Sequence, residues 1–143
     1  DSPDVVNYMD YGVQLGRRFR ALKLWMVIRA FGTLGLAERI RYHCALAAEL
    51  ASWIDGERDW ERMAPVPFST VCFRYAPRDL DEAGRDAANR RILESVNASG
   101  RVYLSHTQLG ERFTLRLAIG HLRTERRHVA AAWRLLREAA AAV

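Results

Sequence analysis

The feature that most constrains the fold of this chain is a helical segment that is apolar on nearly every side. Apolar residues recur at steps of three and four from Leu15 onward, which predicts a helix that Gly32 ends. Its second half, Leu24–Phe31, is apolar nearly all round apart from Arg29. A helix of this kind is normally covered on several sides, and a chain of 143 residues has little material to supply that cover. The segment therefore predicts a neighbour outside this sequence.

The rest of the chain alternates between helical and strand periodicity. Residues 1–14 show no strong period and are predicted as an extended lead-in. Further helices are predicted over about residues 34–54, 86–98 and 124–142, and strands over 60–63, 70–75, 102–107 and 112–118. Residues 78–85 are predicted as a polar loop and residues 108–111 as a four-residue hairpin loop. Long helices beside hairpin-paired strands predict an α+β fold, with helices packed against an antiparallel β-sheet and a long helix in front.

The same periodicities identify the residues that we expect in the core. The residues on the inward stripe of a helix or on one face of a strand are Leu36, Ile40, Leu46, Leu50, Trp53, Val71, Phe73, Tyr75, Ile92, Leu93, Val96, Val129, Trp133 and Leu136. Thr124 is the predicted N-cap of the last helix. Cys44 and Cys72 have apolar neighbours. We therefore expect both cysteines to be small core residues of a protein in a reducing compartment.

The charge of the chain is basic, but its distribution is unlike that of a nucleic-acid groove. The net charge is +5, and the 22 basic residues include a single lysine, Lys23. The arginines are interleaved with acidic residues and form no long basic block with aromatic residues between. These observations favour a protein that does not bind nucleic acid. A stand-alone arginine-rich module that binds nucleic acid or an acidic partner is the alternative.

Several other classes of protein are disfavoured by missing patterns. The sequence has no glycine-rich phosphate loop, no Gly-x-Ser-x-Gly and no Cys-x-x-Cys. No two of its four histidines lie four residues apart on a predicted helix, so no metal site is expected. The apolar runs are too short to cross a bilayer, and the acidic start, 1–4, has no signal-peptide pattern. We expect a cytoplasmic protein without a membrane partner.

Three arginines near the start of the first predicted helix conflict with ordinary helix electrostatics. Arg17, Arg18 and Arg20 lie in its first turn, where the helix dipole already concentrates positive charge. With Gly16 and the free backbone N–H groups, they form a ready site for a phosphate or a carboxylate. Two alternatives remain: the helix begins one turn earlier, or acidic residues from another segment neutralise the arginines. The role of the three arginines stays open.

A fourth arginine stands out in a predicted strand. Arg116 lies between apolar residues in the segment 113–118, which is predicted as a central strand. An arginine in such surroundings usually has a carboxylate partner. That partner is either a structural side chain or a substrate.

The order of several short motifs resembles a known enzyme family. The motifs are Leu15-Gly16-Arg17-Arg18-Phe19-Arg20-Ala21-Leu22-Lys23-Leu24-Trp25, Gly32-x-x-Gly35-Leu36, Ile40-Arg41-x-His43, Val71-Cys72-Phe73-Arg74, Ile92-Leu93-x-x-Val96-Asn97-x-Ser99-Gly100, Leu115-Arg116-x-Ala118-Ile119 and His128-Val129-x-x-Ala132-Trp133. Over residues 8–140 the sequence resembles the small C-terminal domain of the group II pyridoxal-phosphate-dependent amino acid decarboxylases. It is most similar to the aromatic-L-amino-acid decarboxylase branch.

The resemblance implies a carboxy-lyase that releases CO₂ from an L-amino acid. On the branch that the sequence resembles, this amino acid is aromatic. Such enzymes have fold type I and are homodimers, and they bind pyridoxal 5′-phosphate (PLP) mainly through a large domain with a His-Lys pair. Lys23 does not follow a histidine, so it does not match the Schiff-base lysine. This chain is therefore expected to hold no catalytic residue and to be inactive alone. Its partners would be the missing large domain, a second subunit and the amino acid substrate.

The resemblance also implies domain limits and two site residues. Residues 1–14 would be a lead-in from the large domain, and residues 15–143 the small domain that buttresses the active site. Gly16 matches a glycine close to the cofactor phosphate, and Arg116 matches a position that pairs with the substrate α-carboxylate in glutamate decarboxylases. For the aromatic-type enzymes a purely structural role of this arginine is the alternative. The family's mobile catalytic loop would end just before Asp1, so we expect a piece released by proteolysis or by design. Which amino acid is decarboxylated is not readable from these residues.

Overall fold

The structure, a computed structural model, describes residues 19–143 and confirms the α+β class. Its elements are α1 (Arg20–Asp55), β1 (Trp60–Arg62), β2 (Thr70–Tyr75), α2 (Glu82–Ala98), β3 (Ser105–Leu109), β4 (Arg112–Ala118) and α3 (Arg126–Ala140). The four strands form one antiparallel sheet in the order β1-β2-β4-β3. The order of elements is the predicted one, except that the first two predicted helices are the two parts of α1.

Gly32 interrupts α1, as the sequence predicts. Its backbone is non-helical, with φ 66° and ψ 169°, and this region of backbone conformation is essentially restricted to glycine. Residues 19–36 belong to one structural unit and residues 37–143 to another. The helix begins at Arg20. The predicted start at Leu15 and the predicted lead-in both lie outside the described residues.

The first unit contains the segment that is apolar on nearly every side. Every residue from Phe19 to Leu34 is exposed, including Leu24 at 62% and Trp25 at 57%. Beyond Gly32, two expected core positions of α1 are not buried: Leu36 is half-buried and Ile40 is 59% exposed. The prediction of Ile40 as an inward residue is therefore wrong.

The second unit has a core between one face of the sheet and its helices. Phe73 lies opposite Leu115, and Val71 opposite Leu117, on neighbouring strands. These four side chains are buried in one cluster with residues from all three helices, Leu50, Ile54, Ile92, Trp133 and Leu136 among them. Side chains alternate between the two faces of a strand, so the intervening residues lie on the opposite face. That second face is described below because it carries the candidate site.

The start of α2 differs from its prediction. Asp81 is the N-cap, and its Oδ1 accepts a 2.8 Å hydrogen bond from the Gly84 N–H. The helix therefore begins at Glu82, and the predicted polar loop includes its first turn. An aspartate cap satisfies a free N–H group at the helix start. Because glycine disfavours helix, Gly84 in the first turn made the sequence read as a loop there.

Three other boundaries also differ. β3 begins at Ser105 rather than at Val102, and the hairpin loop has two residues, Gly110 and Glu111, rather than four. Both loop residues have positive φ (57° and 65°), which suits the twist of a two-residue hairpin. The N-cap of α3 is Glu125 rather than Thr124. The elements themselves are unchanged by these shifts.

Candidate functional site

The face of the sheet turned away from the core is polar, and we call it the open sheet face. The side chains that concern the site are Glu61 of β1, Cys72 and Arg74 of β2, Arg112, Thr114 and Arg116 of β4, and Ser105 and Thr107 of β3. Thr70, Leu109 and Ala118 share this face by register. Cys72, expected in the core, lies here and is half-buried, so that expectation is wrong. Alternation of apolar and polar residues along β2 and β4 produces this face. It brings three arginines close together on one surface.

Arg74 is fixed by carboxylates although it is almost fully buried. Its side chain is 2% exposed, its Nε donates to Glu61 at 3.0 Å, and its Nη1 donates to Glu82 at 2.8 Å. Hydrogen bonding to Arg74, before other causes, lowers the pKa of Glu82 to about 2. The bond to Glu82 is also the first cause that raises the pKa of Arg74. The charge of Arg74 is therefore compensated within the domain.

The N-terminal turn of α2 reaches Arg74 because two side chains attach α2 to the sheet. Asn89 is fully buried, and its amide exchanges hydrogen bonds with the backbone of Tyr75 at 2.8 and 2.7 Å. Asp86 accepts a 2.9 Å bond from the backbone N–H of Phe113. These bonds place Glu82 at the end of β2, beside Arg74.

Arg116 has a different environment on the same face. It is exposed, and its Nε donates to the hydroxyl oxygen of Ser105 at 2.9 Å. Ser105 and Cys72 are its neighbours in the adjacent strands. Within residues 19–143 it forms no ion pair, so the expected carboxylate partner is not in this part of the chain and a neutral hydroxyl takes its place. The positive charge of Arg116 is uncompensated here.

The other residues that the sequence singled out belong to the first part of the chain. Gly16, Arg17 and Arg18 lie outside the described residues, while Arg20 is the first residue of α1. The first turn of α1 contains no acidic residue. Lys23 is exposed on α1. Of the two site residues that the sequence predicted, Arg116 lies on the open sheet face and Gly16 is not among the described residues.

A cleft that sequence reasoning missed lies beside α3. Its volume is about 490 Å³, and its polar lining includes Arg101, His121, Arg123 and His128 around an apolar floor. Each histidine accepts a backbone hydrogen bond at Nδ1, from the N–H of Arg123 at 3.2 Å and of Glu125 at 3.0 Å. The basic residues between positions 121 and 128 were the sign of this cleft in the sequence. Their spacing does not indicate a particular ligand.

His43 is a second feature that the sequence did not reveal. Its side chain is 7% exposed and its Nε2 has no hydrogen-bond partner among the described residues. Such a buried polar atom usually has a partner. Within residues 19–143, no helix is long and apolar enough to cross a membrane, and no group of three or more His, Cys, Asp or Glu could hold a metal ion.

The first half of the chain matches one family model. The model is described as the pyridoxal-dependent decarboxylase conserved domain, and it matches residues 2–76, slightly more than half of the chain. The matched residues include α1, β1 and β2.

Known proteins are similar over nearly the whole chain. Tyrosine decarboxylase 4 of Petroselinum crispum is 45% identical over 143 residues, which cover 97% of this chain and 28% of that protein. Phenylacetaldehyde synthase of Arabidopsis thaliana is 43% identical over 136 residues, with 95% and 28% covered. The crystal structure of Oryza sativa TDC with PLP and tryptamine has a TM-score of 0.82 and 39% identity, over 93% of this chain and 29% of that one. The chain thus spans less than a third of the length of these proteins.

Proposed function

This chain belongs to the pyridoxal-dependent decarboxylase family, and from that premise we propose that it is the C-terminal part of a PLP-dependent decarboxylase of aromatic L-amino acids. The names of similar proteins support the aromatic class: one acts as a tyrosine decarboxylase, and another was crystallised with tryptamine. None of these comparisons supports the alternative of an arginine-rich binding module. The activity belongs to the whole protein, of which this chain would be about 28% by the length of its relatives.

The described residues do not fit covalent attachment of PLP. An imine requires a lysine amine, and the only lysine of this sequence, Lys23, is exposed on α1. We therefore propose that the cofactor is held mainly by the remaining part of the protein. PLP acts there as the electron sink of the reaction. Residues 15–143 would form the small domain, residues 1–14 would lead into it, and this domain alone would be inactive.

The exposed apolar part of α1 supports a large-domain partner. We define the apolar helix segment as residues 19–31, which exposes Phe19, Leu24, Trp25 and Met26 by more than half. Contiguous exposed apolar surface of this kind marks an interaction site in soluble proteins. We propose that the large domain covers this segment in the whole enzyme. From the family resemblance we further propose a cytoplasmic homodimer.

The role that we propose for Arg116 is to bind the α-carboxylate of the substrate. Its Nε is occupied by Ser105, and its two Nη groups make no hydrogen bond within residues 19–143. The edge that carries the Nη groups can bind a carboxylate through two parallel hydrogen bonds. This uncompensated guanidinium on the open sheet face is the observation that supports the role. For Gly16 the proposed role, close to the cofactor phosphate, concerns a residue outside the described range.

The proposal is tested in the whole protein with PLP present. We expect CO₂ release from tryptophan, tyrosine or phenylalanine, with the product identified as amine or aldehyde. Arg116→Met should lower kcat/KM by roughly 10- to 100-fold, since charged hydrogen bonds to the carboxylate are lost. Arg112→Met, on the same strand and the same face, is the matched control and should have little effect.

Two outcomes would contradict this proposal separately. If no aromatic amino acid loses CO₂, the assigned activity is wrong. If Arg116→Met behaves like Arg112→Met in an active enzyme, the activity stands but the carboxylate role does not.

A further inference from the structure

We infer that Ser105 is a positioning residue for Arg116, which it orients toward the carboxylate of the substrate. The inference rests on the proposed function, because it assigns a role to Ser105 through the role of Arg116. Ser105 lies directly opposite Arg116 on the neighbouring strand, and its Oγ accepts the 2.9 Å hydrogen bond from Nε. No motif in the sequence singles out this serine.

The hydrogen bond at Nε determines which part of the guanidinium stays available. The group has five N–H donors, one on Nε and four on the two Nη atoms. When Ser105 accepts the bond from Nε, the four N–H groups on the two Nη atoms remain, and one from each Nη forms the edge that can bind a carboxylate through two parallel hydrogen bonds. An exposed arginine without such a contact populates many rotamers, and it loses that freedom on binding. The contact with Ser105 restricts the rotamers of Arg116 before the ligand binds, so the side chain loses less conformational entropy on binding.

A comparison with Arg74 explains why a hydroxyl suits this position. Arg74 is also held at Nε, but by the carboxylate of Glu61, and Glu82 occupies its Nη1. Those carboxylates neutralise Arg74 and occupy the edge that a ligand would need. Ser105 orients Arg116 without a negative charge, so the whole attraction of the guanidinium remains for an incoming carboxylate. The same face thus contains a structural arginine and a preoriented one.

The test compares Ser105 variants of the whole enzyme with PLP. Ser105→Ala should raise KM for the amino acid about 5-fold and change kcat less than about 2-fold, because the lost bond acts on substrate binding only through the orientation of the guanidinium. Ser105→Thr keeps the hydroxyl and should restore KM. Ser105→Asp should raise KM more than Ser105→Ala, because its carboxylate competes with the substrate for Arg116.

The matched control is Thr107→Ala. Thr107 lies two residues along β3 on the same face, opposite Thr114 rather than Arg116. We expect its KM to equal that of the unchanged enzyme. In an Arg116→Met background, Ser105→Ala should have no further effect on KM, because the group that it orients is gone.

The outcomes separate this inference from the function on which it rests. If Arg116→Met impairs the enzyme and Ser105→Ala leaves KM unchanged, Ser105 has no positioning role and the proposed function stands. If Ser105→Ala and Thr107→Ala raise KM equally, the effect is general damage to β3, and the inference is wrong. If Arg116→Met has no effect, the carboxylate role of Arg116 and this inference both fail while the activity stands. If no aromatic amino acid is decarboxylated, the proposed activity fails as well.

Discussion

The two parts of α1 are both rich in apolar residues, but only one of them is buried by this chain. Leu24 and Trp25, in the apolar helix segment, are 62% and 57% exposed. Leu50 and Ile54, near the other end of α1, are fully buried. Apolar content alone therefore does not predict burial within the chain. What differs is the arrangement of the apolar residues around the helix axis.

The second part of α1 has a polar side, and the first part has almost none. Glu49 and Ser52 lie between the buried residues of the second part, and Asp55 follows the last of them, so one stripe faces the core and the rest can face solvent. In the first part the apolar residues surround the helix, and a single sheet face cannot cover them all. A helix that is apolar all round needs neighbours on several sides. We attribute the exposure of the apolar helix segment to this difference.

The largest expected effect comes from the same substitution in both parts of α1. Leu50→Ala removes a fully buried side chain and should lower the free energy of unfolding by about 3 kcal/mol. Leu24→Ala removes an exposed one and should change it by less than about 0.5 kcal/mol in the 143-residue chain. Urea denaturation of both variants, followed by circular dichroism, measures the difference.

The whole protein provides a sharper form of this comparison. If the large domain covers the apolar helix segment, Leu24→Ala should there cost about 2 kcal/mol, because it then leaves a cavity. An exposed surface residue such as Arg91, changed to alanine, is the control. Equal effects of Leu24→Ala and Arg91→Ala in the whole protein would show that the segment is not covered. Equal losses for Leu24→Ala and Leu50→Ala in the short chain would contradict the burial described above.

A second comparison between the two units concerns their stability at low pH. The folded pKa of Glu82 is about 2, below its ordinary value of 4.5, chiefly through its hydrogen bond with Arg74. A depressed carboxylate pKa stabilises the fold above the unfolded pKa, and this contribution is lost as pH falls from about 4.5 to 2. Residues 19–36 contain no Asp or Glu. Acid should therefore weaken the unit of residues 37–143 through Glu82 and leave the apolar helix segment unaffected.

The measurement is the urea midpoint as a function of pH between 5 and 2. Glu82→Gln should reduce the slope of this dependence, since the glutamine does not titrate. Glu94, an exposed carboxylate on α2 for which no ion pair is found in residues 19–143, supplies the control variant Glu94→Gln. If Glu82→Gln and Glu94→Gln have equal slopes, the pairing with Arg74 contributes nothing to acid stability.

The sequence predicted most of the fold because local patterns carry that information. The break at Gly32 follows from the conformational freedom of a glycine backbone. The alternation of buried and less buried side chains in β2 follows from the two-residue period of a strand. The start of α2 was predicted too late, because Gly84, a poor helix former, lies in the first turn after the Asp81 cap. The hairpin loop at Gly110 was predicted too long, because the sequence gives weak signals for the ends of strands. Ile40 was misplaced because no residue within 19–143 covers its side of the helix.

The candidate site was predicted less completely because its contacts are not local. Arg116 was singled out by its apolar neighbours in sequence, but its partner Ser105 is set by the register of β3 and β4. Carboxylate partners of the kind expected for Arg116 were found for Arg74 instead. Its contact with Glu61 depends on the pairing of β1 with β2, and its contact with Glu82 depends on the position of α2. Sequence spacing does not encode such cross-strand pairs.

The smallest expected effect concerns His43, a buried residue of the second unit with an unsatisfied atom. Its Nε2 lacks a partner within residues 19–143, and burying a polar atom without a hydrogen bond is unfavourable. His43→Leu should therefore change the free energy of unfolding of the 143-residue chain by less than about 1 kcal/mol, or stabilise it. His128→Leu, which removes the acceptor for the N–H of Glu125 at the start of α3, is the comparison and should be the more harmful of the two. A loss above about 2 kcal/mol for His43→Leu would show that Nε2 has a partner outside the described residues. The second unit would then also depend on residues beyond 19–143, and the contrast between the two parts of α1 would be weaker.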